Sequence, residues 1–167
     1  MAWTIISAVG EILSAIGVIF SLVYLAKQIR ESSRSTKASL RESVVRQQIE
    51  WLNLIGNNEQ SSRVWLKGTM SISNLTDDEK GQFMMIMFSF LKSNESIFLH
   101  YCDGLLDREV WEINKKMLAA YVTQPGGRFY VSKRIEAFNP KFQNVLREIE
   151  SAEKLEFIYK DVIENVR

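Results

Sequence analysis

Glu11 is the one charged residue between Met1 and Ala26, and small residues surround it at Ser7, Gly10, Ser14, Gly17 and Ser21. Steps of three and four residues put those five positions on one narrow heptad seam of a helix. Such a seam is made for helix contact. Within lipid there is no hydrophobic drive between helices, so close backbone approach at small residues and hydroxyl hydrogen bonds must supply the attraction. Gly10 with Ser14, and Gly17 with Ser21, also have small-xxx-small spacing. With Ser7 at heptad position a, Glu11 takes position e, on the flank of the seam. A carboxylate there has three uses: it snorkels to headgroups from the start of a helix, pairs with a neighbouring helix, or faces a water-filled lumen, where a ring of carboxylates favours cations.

Other residues with chemical potential are weaker in pattern. His100, Cys102 and Asp103 include metal-ligand types, but their spacing gives neither the i, i+4 histidine pair nor the paired cysteines of a zinc site. The expectation is a half-buried His100, a core Cys102 and no metal. A single histidine, no G-x-S-x-G elbow and no phosphate loop leave an enzyme without familiar machinery. Neither catalysis nor a cofactor is expected. Gly126, Gly127 and Arg128 precede a helix and suit either an anion or a plain turn. Met84, Met85 and Met87 suit either an adaptable partner surface or, preferably, core packing.

The element that positions the seam is the stretch Trp3 to Ala26. At a rise of about 1.5 Å per residue it reaches roughly 36 Å, enough to cross a hydrocarbon core of about 30 Å with some tilt. Glu11 then lies about 12 Å along the axis from Trp3, below the headgroups if Trp3 marks the interface. Between Lys27 and Arg46 there are six basic residues (Lys27, Arg30, Arg34, Lys37, Arg41, Arg46) against Glu31 and Glu42. A basic block after a spanning helix marks the cytoplasmic side, which places the N-terminus outside. Lys27, Arg30, Arg34 and Lys37 also suit anionic lipid headgroups. Nucleic acid is a poor fit, since the rest of the chain is slightly acidic. Cys102 is the single cysteine, so no internal disulfide forms, in agreement with a reducing compartment. With no basic n-region, and bulky Tyr24 two residues before Ala26, the stretch reads as an uncleaved anchor.

Beyond the anchor the pattern is helical throughout. No proline precedes Pro125 and no glycine falls between Gly17 and Gly56, so the first helix can run on through Gln28, Leu40, Val44 and Trp51 to about Ile55. A hinge is allowed between Glu31 and Ser43. Further helices are expected at about Gln60–Ser71 (with Val64, Trp65 and Leu66, weakened by Gly68), Thr76–Cys102 (opened by a Thr76/Glu79 capping box) and Arg108–Val122 (capped by Asp107). In the second of these, the run Phe83–Phe88 is expected to be core all round, and in the third Val110, Trp111, Ile113, Leu118 and Tyr121 point inward. Gly104 is read as a stop and Pro125-Gly126-Gly127 as a sharp turn. Helices at Phe129–Ala137 and from Asn139-Pro140 onward complete the chain, the last with Phe142, Val145, Leu146, Ile149, Leu155, Ile158 and Val162 inward.

Glu11-Ile12, Ala15-Ile16-Gly17-Val18, Ser21 to Ala26, Gln28-Ile29-Arg30, Gly104 to Asp107 with Trp111, Pro125 to Arg128, and Phe142 together resemble a group of small, uncharacterised bacterial membrane proteins. Where that group tends to have tryptophans after the arginine, this chain has Phe129 and Tyr130. The resemblance implies a single-pass protein of the bacterial inner membrane and brings no activity with it.

The expected architecture is all-α: a transmembrane helix (1–26), a basic juxtamembrane helical extension (27–56) and a cytoplasmic helical domain (57–167). The leading functional expectation is a non-enzymatic membrane protein that self-associates through the seam and presents its domain for scaffolding, sensing or assembly. The alternatives are a cation-preferring homo-oligomeric pore lined by the seam and Glu11, and an accessory subunit packed on another membrane protein.

Overall fold

The computed structural model describes residues 2–151, without the side chains of residues 2–9 and 12. Leu155, Ile158 and Val162 therefore lie outside the described residues. The fold is all-α, with no strand among the described residues. Its elements are α1 (Ala2–Gly56), α2 (Glu59–Met70), α3 (Asp77–Cys102), α4 (Arg108–Val122), α5 (Pro125–Arg134) and α6 (Pro140–Ser151), with short 3-10 turns at Ile72–Asn74 and Ile135–Ala137. Residues 31–43, where the sequence allowed a hinge, are helical. The chain divides into two compact units, one ending at Leu40 and the other starting at Arg41.

The first unit is helix alone. In the second, α1 contributes Val44, Trp51 and Ile55 to the core, at 3, 7 and 9 % exposure. Trp51 meets Trp65 edge to face at 5.1 Å, and Phe90 and Tyr121 close the cluster at 4.8 and 5.9 Å from it. Four rings from α1, α2, α3 and α4 thus form one centre, where edge and tilted contacts add about 0.5–1.5 kcal/mol per pair beyond area burial.

Local chemistry explains the helix ends. Ser62 donates its hydroxyl to the Ile55 carbonyl at 2.7 Å, satisfying an orphan acceptor at the end of α1, and Asn58 caps α2 by accepting from the Ser61 N–H. Thr76 and Glu79 form the expected capping box. The backbone hydrogen bond from Thr76 holds the Glu79 carboxyl below its usual range, and the Lys80 ammonium does the same for Asp77. α3 ends at Cys102, and two residues on Gly104 has a φ of +69°, the left-handed conformation that glycine adopts without strain. Pro140 starts α6 as expected, and Phe142, Val145, Leu146 and Ile149 are buried.

Several expectations need correction. Asp107 precedes α4 but makes no cap hydrogen bond; its carboxylate is drawn out to the Arg41 guanidinium. Pro125-Gly126-Gly127 is not a free turn but the first turn of α5, with Pro125 where the missing N–H costs nothing. The run in α3 is not buried all round: Phe83, Ile86 and Met87 are core, whereas Met85 and Phe88 are exposed, because α3 is covered only on the sides that meet its neighbours. Ile113 faces solvent on α4 for the same reason. Cys102 is exposed rather than core, since it ends α3 on the solvent side, while His100 is half-buried as expected.

Candidate functional site

Each side chain described between Leu13 and Arg30 is exposed. Ten of them are large and apolar (Leu13, Ile16, Val18, Ile19, Phe20, Leu22, Val23, Tyr24, Leu25 and Ile29), at 43 to 71 % exposure. Burying such a side chain fully gains about 1.5–3 kcal/mol, so this surface strongly favours an apolar medium or a partner. By length and composition, α1 contains a stretch able to cross a bilayer.

The structure places Gly10, Glu11, Ser14, Gly17 and Ser21 together on this exposed helix; the Ser7 side chain lies outside the described set. Nothing of the protein comes within 4 Å of a β-carbon built on Gly10 or Gly17. Ser21 donates its hydroxyl to the Gly17 carbonyl at 2.9 Å. That satisfies its proton within the helix and leaves the oxygen as an acceptor, which lowers the cost of burying the residue in an apolar setting. Of the basic residues that follow, Lys27, Arg30 and Arg34 are exposed and Lys37 is half-buried. Lys27 stands 3.9 Å from Glu31, and with both side chains at least 70 % exposed the pair is weak and leaves Lys27 open to other anions.

The glycines of the Pro125 motif have a different role from anion binding. A β-carbon on Gly126 would lie 2.0 Å from the Gly68 carbonyl oxygen, and one on Gly127 would lie 2.3 Å from the Tyr121 carbonyl oxygen. These glycines let α5 start directly against α2 and the end of α4. Arg128 turns back to donate from Nε to the Thr123 carbonyl at 3.0 Å. Gly68, expected to weaken α2, faces the Phe83 ring, which would be 2.3 Å from a β-carbon there.

Elsewhere in the second unit, an apolar cavity of about 210 Å³ is lined by Trp51, Leu52, Ile55, Trp65, Leu66 and Tyr121. The Trp51 indole N–H is buried and has no hydrogen-bond acceptor. Glu95 is buried, with its carboxylate accepting from the Asn139 N–H and from Lys92 Nζ. Only the helix-initiating Asn139-Pro140 pair hinted that a chain entry there needed a buried acceptor. No group of three metal-ligating side chains occurs among the described residues. No family model, curated protein or solved structure matches the chain.

Proposed function

We propose that this chain is a non-enzymatic, single-pass membrane protein that self-associates through the seam Ser7, Gly10, Ser14, Gly17 and Ser21 and presents its helical domain in the cytoplasm for scaffolding, sensing or complex assembly. The observation that carries this reading is the ten-residue apolar surface of α1, none of it covered by the described protein. Open space at Gly10 and Gly17 lets a neighbouring backbone approach closely at those positions. The exposed Lys27, Arg30 and Arg34 support an orientation with the N-terminus outside and the domain next to anionic lipid. The inner membrane of a bacterium is the setting that the resemblance implies.

Gly17→Leu tests the reading, because a β-carbon there meets nothing within 4 Å in the protein itself. In mild detergent the native chain runs as an oligomer by light scattering, and Gly17→Leu shifts it towards monomer. A monomeric native protein, or an unchanged Gly17→Leu oligomer, defeats the proposal.

A further inference from the structure

We infer that the Asp107 carboxylate has two seats, Arg41 and the N-terminus of α4, and that it moves to the second when α1 lifts from the domain at Arg41. The position of α1 is thereby passed to the first turn of α4. The inference does not depend on the membrane reading, because every residue it uses belongs to the second unit.

α2, α3 and α6 each begin on a residue whose side chain caps them. Asn58 accepts from the Ser61 N–H at 3.0 Å, Thr76 from the Glu79 N–H at 3.3 Å and Asn139 from the Lys141 N–H at 2.9 Å. Asp107, before α4, is of equal capping type and makes no such bond. Its backbone is already that of a cap, extended at φ −72° and ψ 148°, and its carbonyl accepts the first bond of α4 from the Trp111 N–H at 3.2 Å. Only the side chain is elsewhere. Oδ2 accepts from the Arg41 guanidinium, and neither carboxylate oxygen takes an N–H of α4. A rotation about the side-chain bonds of Asp107 separates the two seats.

The seats are comparable in strength. The Arg41 and Asp107 side chains are 55 and 43 % exposed, so water and salt screen their attraction and the pair is a weak one. An aspartate cap satisfies a backbone donor that the helix itself cannot, and adds the attraction of a carboxylate for the positive helix end. Release of Arg41 is therefore offset by the cap that Asp107 gains.

The placement ties this exchange to the movement of a whole helix. Arg41 is where α1 enters the second unit. One heptad on, Gln48 donates to Asn114, and both bonds join residues 66 positions apart, so α1 and α4 run side by side in the same direction. Asn114 is buried and its amide also donates to the Val110 carbonyl at 2.7 Å, which makes this second contact the firmer one. α1 thus lifts at its Arg41 end first, with Val44 in the core and Gln48 on Asn114 as the stop.

The test reads exchange of the α4 amides with water by NMR, on the full-length chain in detergent micelles. Arg41→Gln is expected to slow exchange at the Glu109 or Val110 N–H, the donors that an N-cap side chain serves, at least several-fold. Asp107→Ala alone should leave those amides as they are, and added to Arg41→Gln it should abolish the slowing. A second arm needs no substitution at Arg41: raising sodium chloride from about 0.05 to about 1 M screens the exposed pair and should slow the same amides in the native chain but not in Asp107→Ala. Unchanged exchange in Arg41→Gln or in salt, slowing that persists without Asp107, or faster exchange in Asp107→Ala alone each overturns the inference.

Discussion

Gly126 is pressed so closely against Gly68 that α5 could not accept a side chain at the crossing: a β-carbon on Gly126 falls 2.0 Å from the Gly68 carbonyl oxygen. The obstacle is backbone, which cannot rotate away, so Gly126→Ala must push α5 off α2. Overpacking in a tight site costs about 1–3 kcal/mol, and Gly126→Ala is expected at or above the upper end in a thermal melt of the full chain. Gly81→Ala supplies the contrast. It sits in α3 with open space around it and should stabilise by about 0.5–1 kcal/mol.

Glu95 holds the chain entry to α6 by accepting from the Asn139 N–H, while Lys92 bridges it to the Ala137 carbonyl. Glu95→Ala leaves a backbone donor without a partner and should lower stability by about 2 kcal/mol in urea unfolding. Backbone amide exchange should quicken most in α6.

Acid should loosen the start of α3. The folded state holds the Glu79 and Asp77 carboxyls below their unfolded values. Their contribution is therefore complete above about pH 4–4.5, where the unfolded chain is ionised, and is lost as pH falls through the lower folded values. Glu79→Gln should flatten the stability-versus-pH curve below about pH 4.5, as read from melts across that range.

Glu11 distinguishes the accounts of the seam. In an oligomer whose seam excludes it, Glu11→Gln leaves the oligomer seen by light scattering unchanged and keeps lipid vesicles carrying the protein impermeable to small cations. A cation flux that falls at least several-fold in Glu11→Gln would instead place the carboxylate on a conducting axis.

Helix order was largely legible because each boundary has a local cause: the Thr76/Glu79 box, Gly104 and the Asn139-Pro140 start all act within a turn of themselves. What escaped depends on distant residues. Asp107 has an ideal capping residue type, yet it was claimed by Arg41 from another helix. Gly126 and Gly127 look like turn residues because glycine serves both turns and close approach, and only the facing Gly68 tells which. Ile113 and Met85 are apolar like their neighbours, and their exposure follows from where other helices happen to lie. At the candidate site the long apolar helix was readable from composition alone.

The four-ring centre gives the protein an optical signature. Two indoles set edge to face at 5.1 Å couple their excited states, so Trp51 and Trp65 should superimpose an exciton couplet on the far-ultraviolet circular dichroism of the helices. Trp51→Phe then removes that couplet with the helices intact, and apparent helix content measured in that region becomes a readout of side-chain packing as well as of backbone.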